Sequence, residues 1–238
     1  MADIINRLLQ NLCLKCAKDD GIRHYYDVGV IGYGATVASS FGGALAGKDL
    51  VSITDVADSP ARVLDRIKKV EDGAGGLVEQ TVKLPVWFEP IANGGTPMCE
   101  ALNRARSIIS QWVTQHPSSF PPIVINITDG EATDGDPSAA ASGLIGLSTS
   151  DGNVLLFNVH ISGTNQSAIE FPDSEGELPD DYAKLLFRMS SELPEYMRNM
   201  AQQESLRVSE RTRGFVFQAD MTAVIRFLDI GTRPSNLR

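Results

Sequence analysis

Two short motifs in this sequence supply oxygen atoms suited to a hard metal ion. Residues 93–97 (Asn-Gly-Gly-Thr-Pro) offer the hydroxyl of Thr96, and residues 128–130 (Thr-Asp-Gly) offer the carboxylate of Asp129. Hydroxyl and carboxylate oxygens are ligands that Mg²⁺ takes from proteins. Each motif also has a structural interpretation, because a threonine before proline is a good helix N-cap and Asp-Gly is a common turn. The two motifs together are more specific than either one alone.

The elements that must position these motifs alternate between strands and helices. Apolar runs predict strands at residues 26–33, 50–53, 82–88, 123–128, 154–161 and 215–217. Helical periodicity predicts helices at residues 3–18, 59–71, 97–112, 139–147, 181–192, 193–203 and 221–228. This alternation predicts an α/β fold with a doubly wound, mostly parallel sheet and helices on both faces. Ligands of such sheets bind beyond the carboxyl ends of the strands, where Asp129 follows a strand expected to be buried on both faces.

The two motifs in this order resemble the later part of a von Willebrand factor A (vWA) domain of the bacterial intracellular type. Gly-Gly-Thr-Pro opens an amphipathic helix, and an apolar strand ending in Thr-Asp-Gly follows it. The helix at residues 3–18 and the strand at 26–33, with its Gly-x-x-Gly-Tyr-Gly ending, also match the family order. The resemblance covers most of residues 3–160 and the final strand and helix. Residues 163–213 would then elaborate a single domain that spans residues 1–238.

The resemblance implies a metal-dependent adhesion site. In vWA domains a divalent ion, usually Mg²⁺, is held by two serines of an Asp-x-Ser-x-Ser motif, a threonine of a second loop and an aspartate of a third. Thr96 and Asp129 match the second and third loops, with a carboxylate of a partner protein as the implied ligand. The Asp-x-Ser-x-Ser motif does not occur in this sequence. Because Mg²⁺ demands near-octahedral oxygen geometry, one hydroxyl and one carboxylate predict an incomplete site that binds weakly.

The absent motif also predicts an absent central strand. In the vWA sheet that strand lies between the counterparts of residues 26–33 and 123–128. Each backbone group left unsatisfied by its loss would cost about 1–3 kcal/mol. Three explanations remain open. Met1 is an internal methionine of a longer protein, the chain is a degenerate or split product, or the sheet edges close differently or take a strand from another chain.

Composition and charge narrow the range of partners. The chain has 238 residues, 42% of them hydrophobic, and a net charge of −9. Nucleic acid is not expected as a partner, because phosphate contacts need clustered lysine and arginine. No apolar run approaches the roughly 18 residues of a membrane span. The N-terminus does not resemble a signal peptide, so we expect a cytoplasmic protein without a membrane partner.

Other residues that could carry chemistry favour structural roles. Cys13 and Cys16 extend the apolar stripe of the first helix, so core packing is favoured over a redox or metal-binding pair. His160 falls within an apolar strand and is interpreted as a hydrogen-bonded core histidine. The acidic residues after Asp129 do not fit the EF-hand spacing, and a solvated loop is the better interpretation; they are Glu131, Asp134 and Asp136.

Three functions remain as hypotheses. No nucleophile elbow, Walker A loop or dinucleotide-binding glycine motif occurs in the sequence, so we do not expect an enzyme. The first hypothesis is a protein-binding module that uses Mg²⁺ at Thr96 and Asp129. The second is an interaction scaffold that needs no metal. The third and weakest is a metal-dependent hydrolase at Asp129.

Overall fold

The computed structural model describes residues 2–71, 76–89, 94–161, 168–219 and 221–232. These residues form seven α-helices: α1 (Ala2–Lys15), α2 (Ile53–Asp58), α3 (Met98–Gln115), α4 (Ser138–Ile145), α5 (Asp181–Met189), α6 (Glu195–Gln203) and α7 (Met221–Thr232). Their strands are β1 (Ala17–Lys18), β2 (Gly21–Ile22), β3 (Asp27–Val28), β4 (Ile31–Tyr33), β5 (Val37–Ser39), β6 (Val51–Ser52), β7 (Arg62–Glu71), β8 (Leu77–Val86), β9 (Ile123–Thr128), β10 (Ser148–Thr149), β11 (Gly152–Asn153), β12 (Leu155–Ile161), β13 (Ile169–Glu170) and β14 (Phe215–Ala219). The protein is therefore mixed α/β, as the alternation of elements predicted.

Contacts between Cα atoms divide the chain into two compact units. The first unit contains Met1–Gly32 and Ala38–Ala92, and the second contains Tyr33–Val37 and Asn93–Arg238. These units are defined by contacts alone, and one domain over residues 1–238 stays a prediction. Both candidate metal ligands belong to the second unit.

The second unit is built on a four-stranded mixed sheet in the order β13-β14-β12-β9. Strand β12 runs parallel to β9 and to β14, whereas β13 pairs antiparallel with β14. The β9–β12 register is unbroken, from Ile123 opposite Leu155 to Thr128 opposite His160. The carboxyl ends of three strands therefore meet at one edge of the sheet.

Neighbouring residues of β12 point to opposite faces of this sheet. Leu156 is fully buried in a cluster with Met98 of α3, Leu144 of α4 and Leu186 of α5. The ring of Phe157 instead lies against Phe227 of α7, with ring centroids 6.0 Å apart. Since successive side chains of a strand alternate between faces, helices pack on both faces of the sheet.

The first unit has its own core around α1. A buried Asn6 side chain accepts a hydrogen bond from Trp87 N–H at 2.8 Å and donates to Phe88 O at 3.1 Å. Cys13 and Cys16 are both buried in this core, in agreement with the packing interpretation. Burial raises the pKa of the Cys13 thiol to about 11, so this thiol is protonated at neutral pH.

The helix predicted at residues 59–71 is wrong. Residues 62–71 form β7, which pairs antiparallel with β8 from Arg62 opposite Val86 to Glu71 opposite Leu77. Val63 and Ile67 are four residues apart, a spacing that fits one face of a helix and equally one face of a strand. Both side chains are exposed, at 51% and 68%, so burial did not select a helical stripe here.

The strand predicted at residues 26–33 is interrupted. It forms β3 and β4, which pair with β6 and β5 in separate two-stranded sheets. Within the elaboration predicted at residues 163–213, residues 168–182 are only partly a surface segment, because Phe171 and Leu178 are buried and β13 extends the main sheet. Residues 162–167 lie outside the described residues.

Strand β9 is not buried on both faces as predicted. Only Asn126 and Thr128 of its six residues are buried, and the four apolar ones are partly exposed. The sheet order explains this, since β9 is an outermost strand among the described residues.

Candidate metal centre at the carboxyl edge of the sheet

Thr96 is held in place by the loop that follows β9. Its N–H donates to Thr133 Oγ1 at 2.9 Å, and Thr133 N–H donates back to Thr96 O at 3.0 Å. A Cβ atom on Gly95 would lie 2.6 Å from Thr133 Oγ1, so only glycine leaves room for this contact. Asn93, the first residue of this motif, lies outside the described residues. The two motifs predicted from the sequence are thus joined directly.

Asp129 follows the last residue of β9 and is exposed. The Thr96 hydroxyl oxygen is 3.5 Å from the position that a Cβ on Gly130 would occupy. This places the hydroxyl next to the turn that carries the carboxylate. The structure therefore brings the two loops that carry Thr96 and Asp129 together at the carboxyl edge.

Hydrogen bonds from three hydroxyls fix the turn at residues 128–130. Thr128 Oγ1 donates to Gly130 O at 2.7 Å, and Tyr182 OH donates to the same carbonyl. On the other side, Tyr33 OH lies 3.0 Å from Ile127 O and donates to it. The peptide groups on both sides of Asp129 are consequently restrained before any ligand binds.

Both tyrosines remain protonated donors at neutral pH. Burial raises the pKa of Tyr182 to about 12, and the negative charges of Glu131 and Asp129 act in the same direction. Burial, with added effects of Tyr182 and Asp129, also raises the pKa of Tyr33. The effect of Asp129 on both phenols shows that its charge is felt within the cluster of hydroxyls.

Beneath the turn, a chain of buried amides crosses the sheet. The single Tyr33 hydroxyl proton is shared between Ile127 O and Asn126 Oδ1, which lies 2.6 Å from the phenol oxygen, and Asn126 Nδ2 donates to Asn158 Oδ1 at 2.9 Å. Asn158 Nδ2 then donates to Ser190 Oγ at 3.0 Å and to Leu186 O at 3.3 Å. Both amides are buried and have hydrogen-bond partners, so their burial does not carry the free-energy penalty of an unpaired polar group.

His160 is the next-to-last residue of β12 and lies close to the same edge. Its ring stacks on Phe217 with centroids 4.5 Å apart and meets Tyr182 edge-on at 5.9 Å. Gln218 N–H donates to Nδ1 at 3.3 Å, so the proton of the neutral ring belongs on Nε2. Burial lowers the pKa of His160, while Asp180 and Asp129 act in the opposite direction. The hydrogen-bonded histidine predicted from the sequence is confirmed, although it is only partly buried.

The acidic residues after Asp129 have structural partners. Asp134 accepts from Cys99 N–H at 3.1 Å and Glu100 N–H at 2.9 Å, and so caps the N-terminus of α3. Although burial acts to raise it, these amides lower the pKa of Asp134. Asp136 is exposed and accepts from Ser138 N–H at the start of α4. The loop is solvated, as predicted, but the Asp134 carboxylate is hydrogen-bonded to the first turn of α3.

The residues at this edge are of the types that bind Mg²⁺, but they are too few to complete its coordination shell. Thr96 offers a neutral hydroxyl and Asp129 one carboxylate, both hard oxygen donors. Among the described residues no group of three or more histidine, cysteine, aspartate or glutamate side chains is placed to hold a metal ion. Most of an octahedral shell would therefore be left to water and to an incoming ligand.

Sequence reasoning did not identify Tyr33, Tyr182, Asn126 or Asn158 as parts of this site. Tyr33 and Tyr182 are 93 and 52 residues away from the groups that they contact. One usable signal was present, since each of two apolar strands carries an asparagine, and the register places them side by side.

No family model, no curated protein and no solved structure matches this chain. No helix in the described part of the chain is long and apolar enough to cross a membrane.

Proposed function

We propose that this chain is a protein-binding module that recognises a carboxylate of a partner protein at the carboxyl edge of its sheet. A vWA-like, doubly wound arrangement is part of the proposal, supported by the three parallel strands β9, β12 and β14. The observation that carries it is the position of the Thr96 hydroxyl beside the Asp129–Gly130 turn. Thr96 and Asp129 would hold Mg²⁺, and the bound ion would offer a positive charge to the incoming carboxylate.

The surrounding residues position the two ligands. Thr133 fixes the backbone of Thr96, while Tyr33 and Tyr182 restrain the peptides on either side of Asp129. Such restraint lowers the conformational entropy that binding must remove, which favours binding at a site that has few protein ligands. The proposal assigns no catalytic step to these residues.

Calorimetric titration with Mg²⁺ tests the metal site. We expect a dissociation constant on the order of 1 mM or weaker, because few protein ligands are available. Asp129→Ala should abolish the binding heat, and Thr96→Val should weaken it. Glu131→Gln is the matched control, because it removes a neighbouring negative charge and leaves both ligands in place.

Two results would overturn this assignment. One is the absence of Mg²⁺ binding to the wild-type chain at millimolar concentration. The other is an equal loss of affinity in Glu131→Gln and Asp129→Ala, which would indicate diffuse attraction to an acidic surface.

The second candidate is an interaction scaffold that needs no metal. It is favoured by Asp134, the acidic residue of this loop whose two carboxylate oxygens accept backbone N–H groups and so are held at the start of α3. A scaffold of this kind would bind its partner equally well in Mg²⁺ and in excess chelator, whereas the metal site predicts loss of binding in chelator.

A further inference from the structure

One edge of β9 is paired, and the other has no strand partner among the described residues. The sheet order places β9 last, next to β12. Leu155 N–H donates to Pro122 O at 3.0 Å, so the even-numbered residues of β9 direct their backbone groups toward β12. Backbone groups alternate between the two edges of a strand. The N–H and carbonyl groups of Ile123, Ile125 and Ile127 therefore point away from β12.

This open edge lacks the features that normally protect an outermost strand. Edge strands usually carry charges, prolines or bulges that prevent further pairing. Strand β9 (Ile-Val-Ile-Asn-Ile-Thr) contains no charged residue and no proline, and its register with β12 is regular. Its β-branched side chains lie on both faces and are mostly half-buried, which suits a strand with neighbours on both sides.

Tyr33 already occupies the carboxyl end of the open edge. Its hydroxyl donates to Ile127 O at 3.0 Å in the place where a neighbouring strand would offer an N–H. The remaining outward groups, from Ile123 to the N–H of Ile127, match a strand of about five residues. Self-pairing of two β9 edges centred on Ile125 would bring Ile123 of one copy against Ile127 of the other. Tyr33 is already bonded there in both copies, so a second copy of this chain is disfavoured.

The charges beyond the end of β9 indicate which residues a strand on its open edge would carry. The chain carries a net charge of −9, and the exposed residues Asp129 and Glu131 lie just beyond the carboxyl end of β9. In the metal-free chain an acidic segment would be repelled at this end, whereas a basic residue would be attracted. We propose that the open edge of β9 accepts an extended segment of another polypeptide as a fifth strand, with β-branched residues on both faces and a basic residue near Asp129. The peptide experiments are made in excess chelator, so that no Mg²⁺ at Thr96 and Asp129 offsets this charge.

Amide hydrogen exchange resolved by NMR tests the proposal directly. The probe is a capped peptide of about seven residues, alternating valine and threonine between terminal lysines. In the free protein the amides of Ile123, Ile125 and Ile127 should exchange at least about tenfold faster than those of Val124 and Asn126. Adding the peptide at about 1 mM should slow only the three outward amides.

Three outcomes would overturn the proposal. The first is unchanged exchange of the outward amides with the peptide present. The second is protection that rises with protein concentration without peptide, which would identify a second copy as the neighbour. The third is equal protection by a peptide with terminal glutamates, which would remove the charge argument.

A pair of variants separates the backbone contact from side-chain packing. Ile125→Pro removes an outward N–H without removing a bond to β12, a position where an edge strand tolerates proline. It should abolish peptide protection at Ile123 and Ile127. Ile125→Ala loses similar packing but keeps the amide, so it should retain protection within about threefold of wild type. If Ile125→Pro does not fold, the wild-type comparison of the two peptides still decides the question.

Discussion

At the scale of single residues, the candidate site depends on side chains that local patterns do not reveal. The motifs that contain Thr96 and Asp129 predicted both proposed ligands, and the structure places the Thr96 hydroxyl beside the turn that Asp129 and Gly130 form. Tyr33 and Tyr182 became visible only when the fold brought them to the turn at residues 128–130. A tyrosine hydroxyl carries no sequence signal for a distant backbone carbonyl, because that contact exists only in the folded chain.

His160 predicts a pH dependence of stability. Burial lowers its pKa below the ordinary value of 6.5, so the folded chain resists protonation and the unfolded chain does not. The contribution of His160 is therefore complete above about pH 6.5 and is lost as the pH falls from there toward the folded-state pKa. Urea unfolding at about pH 7.5 and about pH 5.5 measures this loss.

Two variants identify the group responsible. His160→Asn should flatten the dependence of unfolding free energy on pH in this range. Asn153→Ala, an exposed change in the same unit that removes no titratable group, should leave the slope as it is in wild type. The same pH slope in His160→Asn and wild type would contradict the assignment.

At the scale of elements, helix and strand boundaries were predicted best where the apolar spacing fitted only one type of element. The helix predicted at residues 97–112 is α3, and the strand predicted at 123–128 is β9. The helix prediction for residues 59–71 was wrong because a four-residue spacing fits a helix face and a strand face equally. Its strand β7 depends on pairing with β8, a contact between separate stretches of sequence.

The paired asparagines of β9 and β12 give a prediction at this scale. Asn158→Leu should lower the free energy of unfolding by about 2–4 kcal/mol, because it removes the oxygen that accepts from Asn126 Nδ2 and the amide that donates to Ser190 Oγ, both in the buried interior. Urea unfolding measures this, with Asn153→Ala, on the short strand β11, as an exposed control expected within about 0.5 kcal/mol of wild type. The double replacement with Asn126→Leu should cost less than the sum of both. Additive losses would show that the two amides act separately.

At the scale of the whole molecule, the central question is whether the two compact units unfold together. The chain has two tryptophans, Trp87 in the first unit and Trp112 in the second. Each indole N–H therefore reports on one unit in a single sample. The division by contacts favours separable transitions, whereas one domain over residues 1–238 requires coincident ones.

Asn6→Ala provides the corresponding prediction. Removing this buried amide leaves Trp87 N–H and Phe88 O unsatisfied, at a cost of about 1–3 kcal/mol in the first unit. Followed by NMR in urea, the Trp87 indole signal should be lost at lower denaturant than in wild type, with a smaller change for Trp112. An equal displacement of both midpoints would establish a single cooperative domain.

The sequence alone determined the α/β class and most element types, and it predicted two oxygen ligands, because these follow from periodicity and local spacing. Apolar runs identify strands, and a Thr-Pro or Asp-Gly pair marks a loop wherever the chain folds. The tertiary structure decided the partner of each element: the β7–β8 pairing, the outermost position of β9 and the hydroxyls around Asp129. Those contacts join residues far apart in sequence, and the free energy that selects them comes from the packing of the folded chain.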